Sequence, residues 1–169
     1  LELSSSQYSY ITDNAALSIT SDHTYEGWIK LEQLPSTAGA NFSIISKNDA
    51  GANKRSYKLI INQSSDKFEV DFYATEAFTT YSRFRSDRAF TAADVGKWIH
   101  FAVSIDISAP SAQFYHMGET VTDTVVASGS TTLIDGSADF NVGADLASGS
   151  RISYFDGKIS NLRLWSDIR

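Results

Sequence analysis

The chain has 169 residues, with 20 acidic against 14 basic side chains, a formal net charge of −6 and no cysteine. That length fits one domain able to bury about 70% of its unfolded-chain surface. The acidic balance argues against nonspecific nucleic-acid binding, the lack of cysteine excludes disulfides and thiolate metal sites, and no apolar run approaches the ~20 residues of a membrane span.

The chain opens on Leu1 in the strand-like "LELSSSQYSYI" and shows no signal peptide. It reads as a single domain, residues 1–169, excised from a larger protein whose neighbouring domains are among its partners. In "HTYEGWIKL", His23, Tyr25, Gly27, Ile29 and Leu31 share one phase, opposite Glu26, Trp28 and Lys30. In "YKLIIN", Tyr57, Leu59 and Ile61 share a face, and in "FEVDFYA", Phe68, Val70 and Phe72 lie opposite Glu69, Asp71 and Tyr73. "WIHFAVSI" sets Ile99, Phe101, Val103 and Ile105 inward, "AQFYHM" adds Phe114, and "ADFNVG" adds Phe140 and Val142. Period two with one polar face predicts half-buried antiparallel strands.

Turn signals punctuate these runs. "NQSSDK" sits at hairpin spacing, and "MGET" puts Gly118 where a tight turn needs a positive φ. The basic clusters "NKRSYK" and "SRFRSDR" read as solvated loops. Helical periodicity is weak everywhere; the best stretch, Thr91–Val95, is expected to form one helical turn capped by Thr91 and ended by Gly96. About a dozen short strands in an acidic, helix-poor domain predict an all-β sandwich of two antiparallel sheets. Its core is expected to hold Ile29, Leu31, Phe68, Val70, Phe101, Val103, Phe114, Phe140, Val142 and Leu164. Near the end, "YFDGKISNLRLW" breaks parity: Phe155, Gly157 and Ile159 share one phase, and Leu162 and Leu164 the other. A bulge between them is expected.

The ordered set "TYEGWIKLEQL", "FSIISKND", "GKWIHFAVSID", "FYHMGETV", "DFNVGAD" and "YFDGKISNLRLW" resembles the laminin-G-like, concanavalin A-like jelly-roll domains, a superfamily that includes the pentraxins. The resemblance covers nearly the whole chain and implies a two-sheet jelly roll whose last strand lies beside its first. It does not imply one function, because the fold carries lectins, adhesion modules and glycan hydrolases alike. The chain departs from the pattern at "LSSSQY", where relatives often carry an acidic–glycine pair, which weakens any ligand site carried over to Ser4–Gln7.

Catalytic signals are incomplete. Glu69 and Asp71 resemble the first two carboxylates of the E-x-D-x-x-E strand of retaining jelly-roll hydrolases, but the third place falls on Tyr73 or Ala74, and Glu76 comes too late. His23, His100 and His116 have no ligand spacing. By resemblance to the pentraxin loop, "VGADLASGS" implies one calcium ion at Asp145, with Asp49 and Asn53 of "SKNDAGANKRS" opposite. Exposed aromatics are the remaining signal. Tyr73, Tyr81 and Tyr115 fall on polar phases, Arg83 and Arg85 share Tyr81's phase, and Glu69 and Asp71 can accept from sugar hydroxyls. Trp28 also lies on a polar phase.

The resulting expectation is a non-catalytic, extracellular or cell-surface recognition module binding carbohydrate or a glycoprotein. Nucleic-acid binding and direct membrane insertion are not expected. The expected ligand contacts are Tyr73, Tyr81, Arg83, Tyr115, Glu69 and Asp71. A structural or protein–protein module of an adhesin, surface protein or viral particle is the first alternative, and a glycan hydrolase the second.

Overall fold

The computed structural model describes residues 1–3 and 6–169; Ser4 and Ser5, and with them the start of the Ser4–Gln7 stretch, lie outside the described residues. Two sheets face each other. Sheet A runs, edge to edge, through β1 (Glu2–Leu3), β15 (Gly157–Trp165), β3 (His23–Leu31), β8 (Trp98–Asp106), β9 (Ser111–His116) and β10 (Glu119–Val121). Sheet B runs through β11 (Asp123–Ser128), β7 (Tyr81–Ala89), β6 (Lys67–Tyr73), β5 (Lys54–Asn62), β4 (Phe42–Asp49), β12 (Phe140–Val142) and β2 (Ser9–Ile11). A short hairpin of β13 (Asp145–Ala147) and β14 (Ser150–Ile152) joins it through β4. Among the described residues all strand pairings are antiparallel except β13 with β4.

The alternating apolar residues meet between the sheets. Ile29, Leu31, Phe68, Val70, Phe101, Val103, Phe114 and Phe140 are buried, and Val142 and Leu164 pack against them from partly buried positions. Phe68 and Phe101, from opposite sheets, bring their rings within 5.4 Å. Two packed apolar faces are what a period-two sequence needs to remove half of every strand from water.

Local chemistry sets the corners. The β9–β10 hairpin turns on Met117 and Gly118, both at positive φ (54° and 86°), the two-residue type I′ geometry that matches strand twist. Thr91–Val95 forms hydrogen-bonded turns and no helix. The Asp94 carboxylate accepts from the Thr91 amide and hydroxyl, so the cap works from Asp94 back to Thr91 and closes the loop on itself. Helical turns occur instead at Pro35–Ala38, led by a proline and ended by Gly39, and as a 3-10 turn at Ala15–Leu17 capped by Asn14. The two basic clusters are strands, not loops: Arg55 and Lys58 belong to β5, and Arg83 and Arg85 to β7.

The parity break in β15 is a bulge. Its register against β3 shifts between Ser160 and Arg163, with Asn161 at φ 49°. Ile159 and Leu164 can then both face the core. Gly27 on β3 makes room for it: a Cβ there would lie 3.2 Å from the Leu162 Cα. The first strand closes against the last, as Leu1 and Ile159 exchange hydrogen bonds of 2.8 and 2.9 Å. At one end of the sandwich the buried Lys47 ammonium is held by Asp13 at 2.7 Å, Asp135 at 3.5 Å and the Gly136 carbonyl, which ties the 129–139 segment down.

Candidate functional site

Alternation gives sheet B an outer face as well as a core face. Register puts Tyr73 opposite Tyr81, Asp71 opposite Arg83, Glu69 opposite Arg85, and Lys58 opposite Asp71. The carboxylates are buried on this face, Asp71 fully and Glu69 at 2% exposure, while their cationic partners stay partly exposed. Arg83 grips Asp71 with a two-pronged fork, both bonds 2.6 Å, and also reaches Glu69 at 3.3 Å. Arg85 donates to Glu69 Oε2 from Nε at 2.8 Å and from Nη2. Lys58 lies 3.7 Å from Asp71 and 3.5 Å from Asp145. Asp145 in turn accepts from Ser46 Oγ, Asn48 Nδ2 and the Leu146 amide at 2.5, 2.9 and 2.8 Å. The outcome is a row of cations running across the strands, each aimed by a carboxylate beneath it. Buried charges survive only when paired in this way, and the pairing fixes the exposed donors in position.

An aromatic stack flanks the row. Phe78 and Tyr81 stack with centroids 4.6 Å apart and planes within 19°. The Arg55 guanidinium lies over Phe78 at 5.2 Å and that of Arg83 over Tyr81 at 5.4 Å. Phe78 is 43% exposed and has a φ of 59°, a conformation that costs a bulky residue energy and that the 74–80 loop imposes. Tyr73 lies beneath this pair at 2% exposure and donates its hydroxyl to Asp71 at 2.9 Å. Burial and the neighbouring carboxylate hold that hydroxyl well above its ordinary pKa, so it stays a donor.

Of the sequence-derived candidates, Glu69, Asp71, Tyr81 and Arg83 therefore meet on one surface. Tyr73 supports that surface from below and cannot stack on a ligand. Tyr115 belongs elsewhere: β9 lies in sheet A, and Tyr115 points outward on the opposite side of the sandwich. Phe78, Arg85, Lys58 and Arg55 complete the surface. Arg85 could be read from its phase beside Tyr81; Phe78 sits in a loop and gave no periodic signal. Glu76 is outside the strand, its carboxylate accepting from the Ser137 amide and hydroxyl at 2.8 and 3.0 Å.

The implied calcium ligands are each engaged by protein donors. Asp49 accepts from the amides of Ala52 and Gly149, and Asn53 from Arg55. The corner around Asp145 is rich in oxygen, with buried and unpartnered Asn48 Oδ1 and Asn141 Oδ1, but the Lys58 ammonium already supplies the positive charge there. Among the described residues no group of three or more His, Asp or Glu side chains is arranged to hold a metal ion. In this arrangement protein donors and the Lys58 ammonium occupy the carboxylate oxygens of Asp49 and Asp145.

The family model described as the concanavalin A-like lectin/glucanases superfamily, Laminin_G_3, matches residues 3–169, and the chain belongs to that family. Among solved structures it is similar to the CBM40 of a Ruminococcus gnavus IT-sialidase bound to α2,3-sialyllactose, with TM-score 0.76 and 14% identity over 100% of this chain and 90% of that one. It is also similar to mouse laminin α1 chain domains LG4-5 (TM-score 0.67, 15% identity, 96% and 40% covered) and to a heptameric SAP-like pentraxin from Limulus polyphemus (0.62, 13%, 96% and 76%). No curated protein is significantly similar to the chain. Among the described residues no helix is long and apolar enough to cross a membrane.

Proposed function

We propose that the chain is a non-catalytic carbohydrate-recognition module whose outer sheet-B face binds an acidic glycan. The observation that carries this is the row of partly exposed Arg85, Arg83 and Lys58, each oriented by a buried carboxylate, beside exposed Phe78 stacked on half-buried Tyr81. An aromatic face suits the C–H side of a sugar ring, and fixed guanidinium forks suit a carboxylate and neighbouring hydroxyls. The similarity to a module bound to sialyllactose supports the same reading. Glu69 and Asp71 are both occupied by guanidinium groups, which suits orienting the donors better than attacking or protonating a glycosidic bond.

Calorimetric titration with 3′-sialyllactose and with lactose tests it. A single shallow site should bind the sialylated sugar with a millimolar to micromolar Kd, because water competes for every hydroxyl. Lactose should bind at least about tenfold more weakly, the loss of one charged contact. Phe78→Ala and Tyr81→Ala should each weaken binding while leaving the melting temperature near that of the parent, because neither leaves a buried charge without its partner. Equal binding of the two sugars removes the acidic-glycan reading. No binding of either, with an intact fold, makes the chain an interaction module instead.

A further inference from the structure

The outer face of sheet A is a separate surface with its own composition. It carries all three tryptophans of the chain, Trp28 on β3, Trp98 on β8 and Trp165 on β15, each on the outward phase of its strand. His100 and Tyr115 share that face. Ala102 sits at its centre, paired with Glu26 on one side and Tyr115 on the other. A methyl group among large neighbours leaves a hole, and there the surface forms a cavity of about 190 Å³ walled by Glu26, His100, Tyr115, Gly118 and Arg169.

The walls are held in place. The His100 ring meets Trp28 edge-on at 5.2 Å. Arg163 pairs with Glu26 at 2.7 Å, which neutralises the carboxylate and fixes it. The Arg169 backbone is pinned across the face, its amide donating to Thr24 Oγ1 at 3.0 Å and its carbonyl accepting from Ser104 Oγ at 3.1 Å. The Tyr115 hydroxyl and the His100 ring nitrogens, by contrast, have no hydrogen-bond partner among the described residues. The cavity thus offers an apolar floor, two ring walls, and donors and acceptors at its rim with free capacity. Its volume is below the ~300–1,000 Å³ of pockets that take drug-sized ligands, which suits one small ring.

We propose that this cavity is a second carbohydrate subsite, taking one neutral hexopyranose ring over Ala102 between Tyr115 and His100. The sugar's C–H face lies on Ala102 and the Tyr115 ring, and its hydroxyls reach His100, the Tyr115 hydroxyl and Glu26. The subsite is on the side of the sandwich away from Arg83 and Tyr81, so it stands or falls independently of the acidic-glycan reading.

Intrinsic tryptophan emission reads this face alone, because sheet B carries no tryptophan. Methyl β-galactopyranoside, methyl β-glucopyranoside and methyl α-mannopyranoside are the probes. At least one should change the emission saturably in the millimolar range. Tyr115→Ala and His100→Ala should each raise its Kd about tenfold, the loss of one ring contact. Val126→Thr, an exposed position on β11 of sheet B outside both candidate sites, should leave the titration unchanged. Ala102→Leu, which fills the hole without removing a partner, should abolish the response and serves if Tyr115→Ala does not fold. The proposal is overturned if none of the three sugars gives a saturable change through the high-millimolar range, or if the change survives both Ala102→Leu and His100→Ala. Emission that follows protein concentration and not sugar makes the face a contact between copies of the chain, and overturns it equally.

Discussion

His23 shows how one residue couples this fold to pH. Its Nδ1 lies 2.8 Å from the Ser21 carbonyl and its Nε2 2.8 Å from the Tyr25 hydroxyl. A carbonyl only accepts, so Nδ1 carries the proton and Nε2 accepts from Tyr25. Burial lowers the imidazole pKa to about 4, against partial opposition from the Ser21 carbonyl and Asp22. The folded protein keeps His23 neutral, whereas the unfolded chain takes up a proton below pH ~6.5. Stability is therefore unaffected by His23 above that pH, and falls as pH drops from about 6.5 to 4, by about 3 kcal/mol in all. Urea unfolding across that range should show a steeper loss for the parent than for His23→Gln. Parallel curves for the two proteins would mean that the imidazole does not titrate in this window.

The sugar-binding candidates were legible at this scale only in part. Glu69, Asp71, Tyr81 and Arg83 lie on polar phases of adjacent strands, and phase alone places them outward. Lys58 and Asp145 join them across sheet neighbours far apart in sequence, and no local pattern reports that. Tyr115 has the same polar phase as Tyr81 and faces the opposite way in space, because a sandwich has two outward faces and parity cannot say to which sheet a strand belongs.

At the scale of elements, the strands follow from alternation and the irregularities from single residues. Phe101 is fully buried at the centre of β8 against Phe68 of the other sheet. Phe101→Ala should cost roughly 3–5 kcal/mol. Gly27→Ala tests the bulge in β15, since the added methyl would sit 3.2 Å from the Leu162 backbone and 3.4 Å from the Phe101 ring. Backbone cannot move aside as a flexible side chain can, so a loss of about 1–3 kcal/mol is expected from chemical unfolding. An unchanged midpoint for Gly27→Ala would mean that β15 passes β3 with more room than its register implies. The parity break predicted this bulge because Ile159 and Leu164 could not otherwise share the core. The helical turn expected at Thr91–Val95 failed for an equally physical reason. The backbone closes there by i→i+3 bonds, Asp94 amide to Thr91 carbonyl and Lys97 amide to Asp94 carbonyl, and Gly96 at φ 77° turns the chain into β8 before a full helical turn can form.

The whole molecule is a sandwich closed by its own ends, with a charged outer face on sheet B and an aromatic one on sheet A. Its calcium behaviour is a property of that assembly. A site binding calcium at about 10⁻³ M, at ten times that concentration, would add about 1.4 kcal/mol. That corresponds to a rise of roughly 3–6 °C in a domain of this size. With Lys58 beside Asp145 and backbone amides on Asp49, we expect the melting temperature to be the same in millimolar calcium and in chelator. A rise of that size would place a metal at this corner after all.

The period of the apolar residues, the turn residues and the ordered run of family-like segments determined by themselves that this is a two-sheet sandwich, and which side of each strand is buried, because burial of alternate side chains is encoded residue by residue. Only the tertiary structure decided which outward residues meet. Glu69 and Asp71 became anchors for guanidinium groups, Tyr73 became a covered support, and Tyr115 joined His100 and Trp28 on the far face. Those relations depend on strand order and on where loops cross the sheet ends, and both are set by contacts between residues distant in sequence.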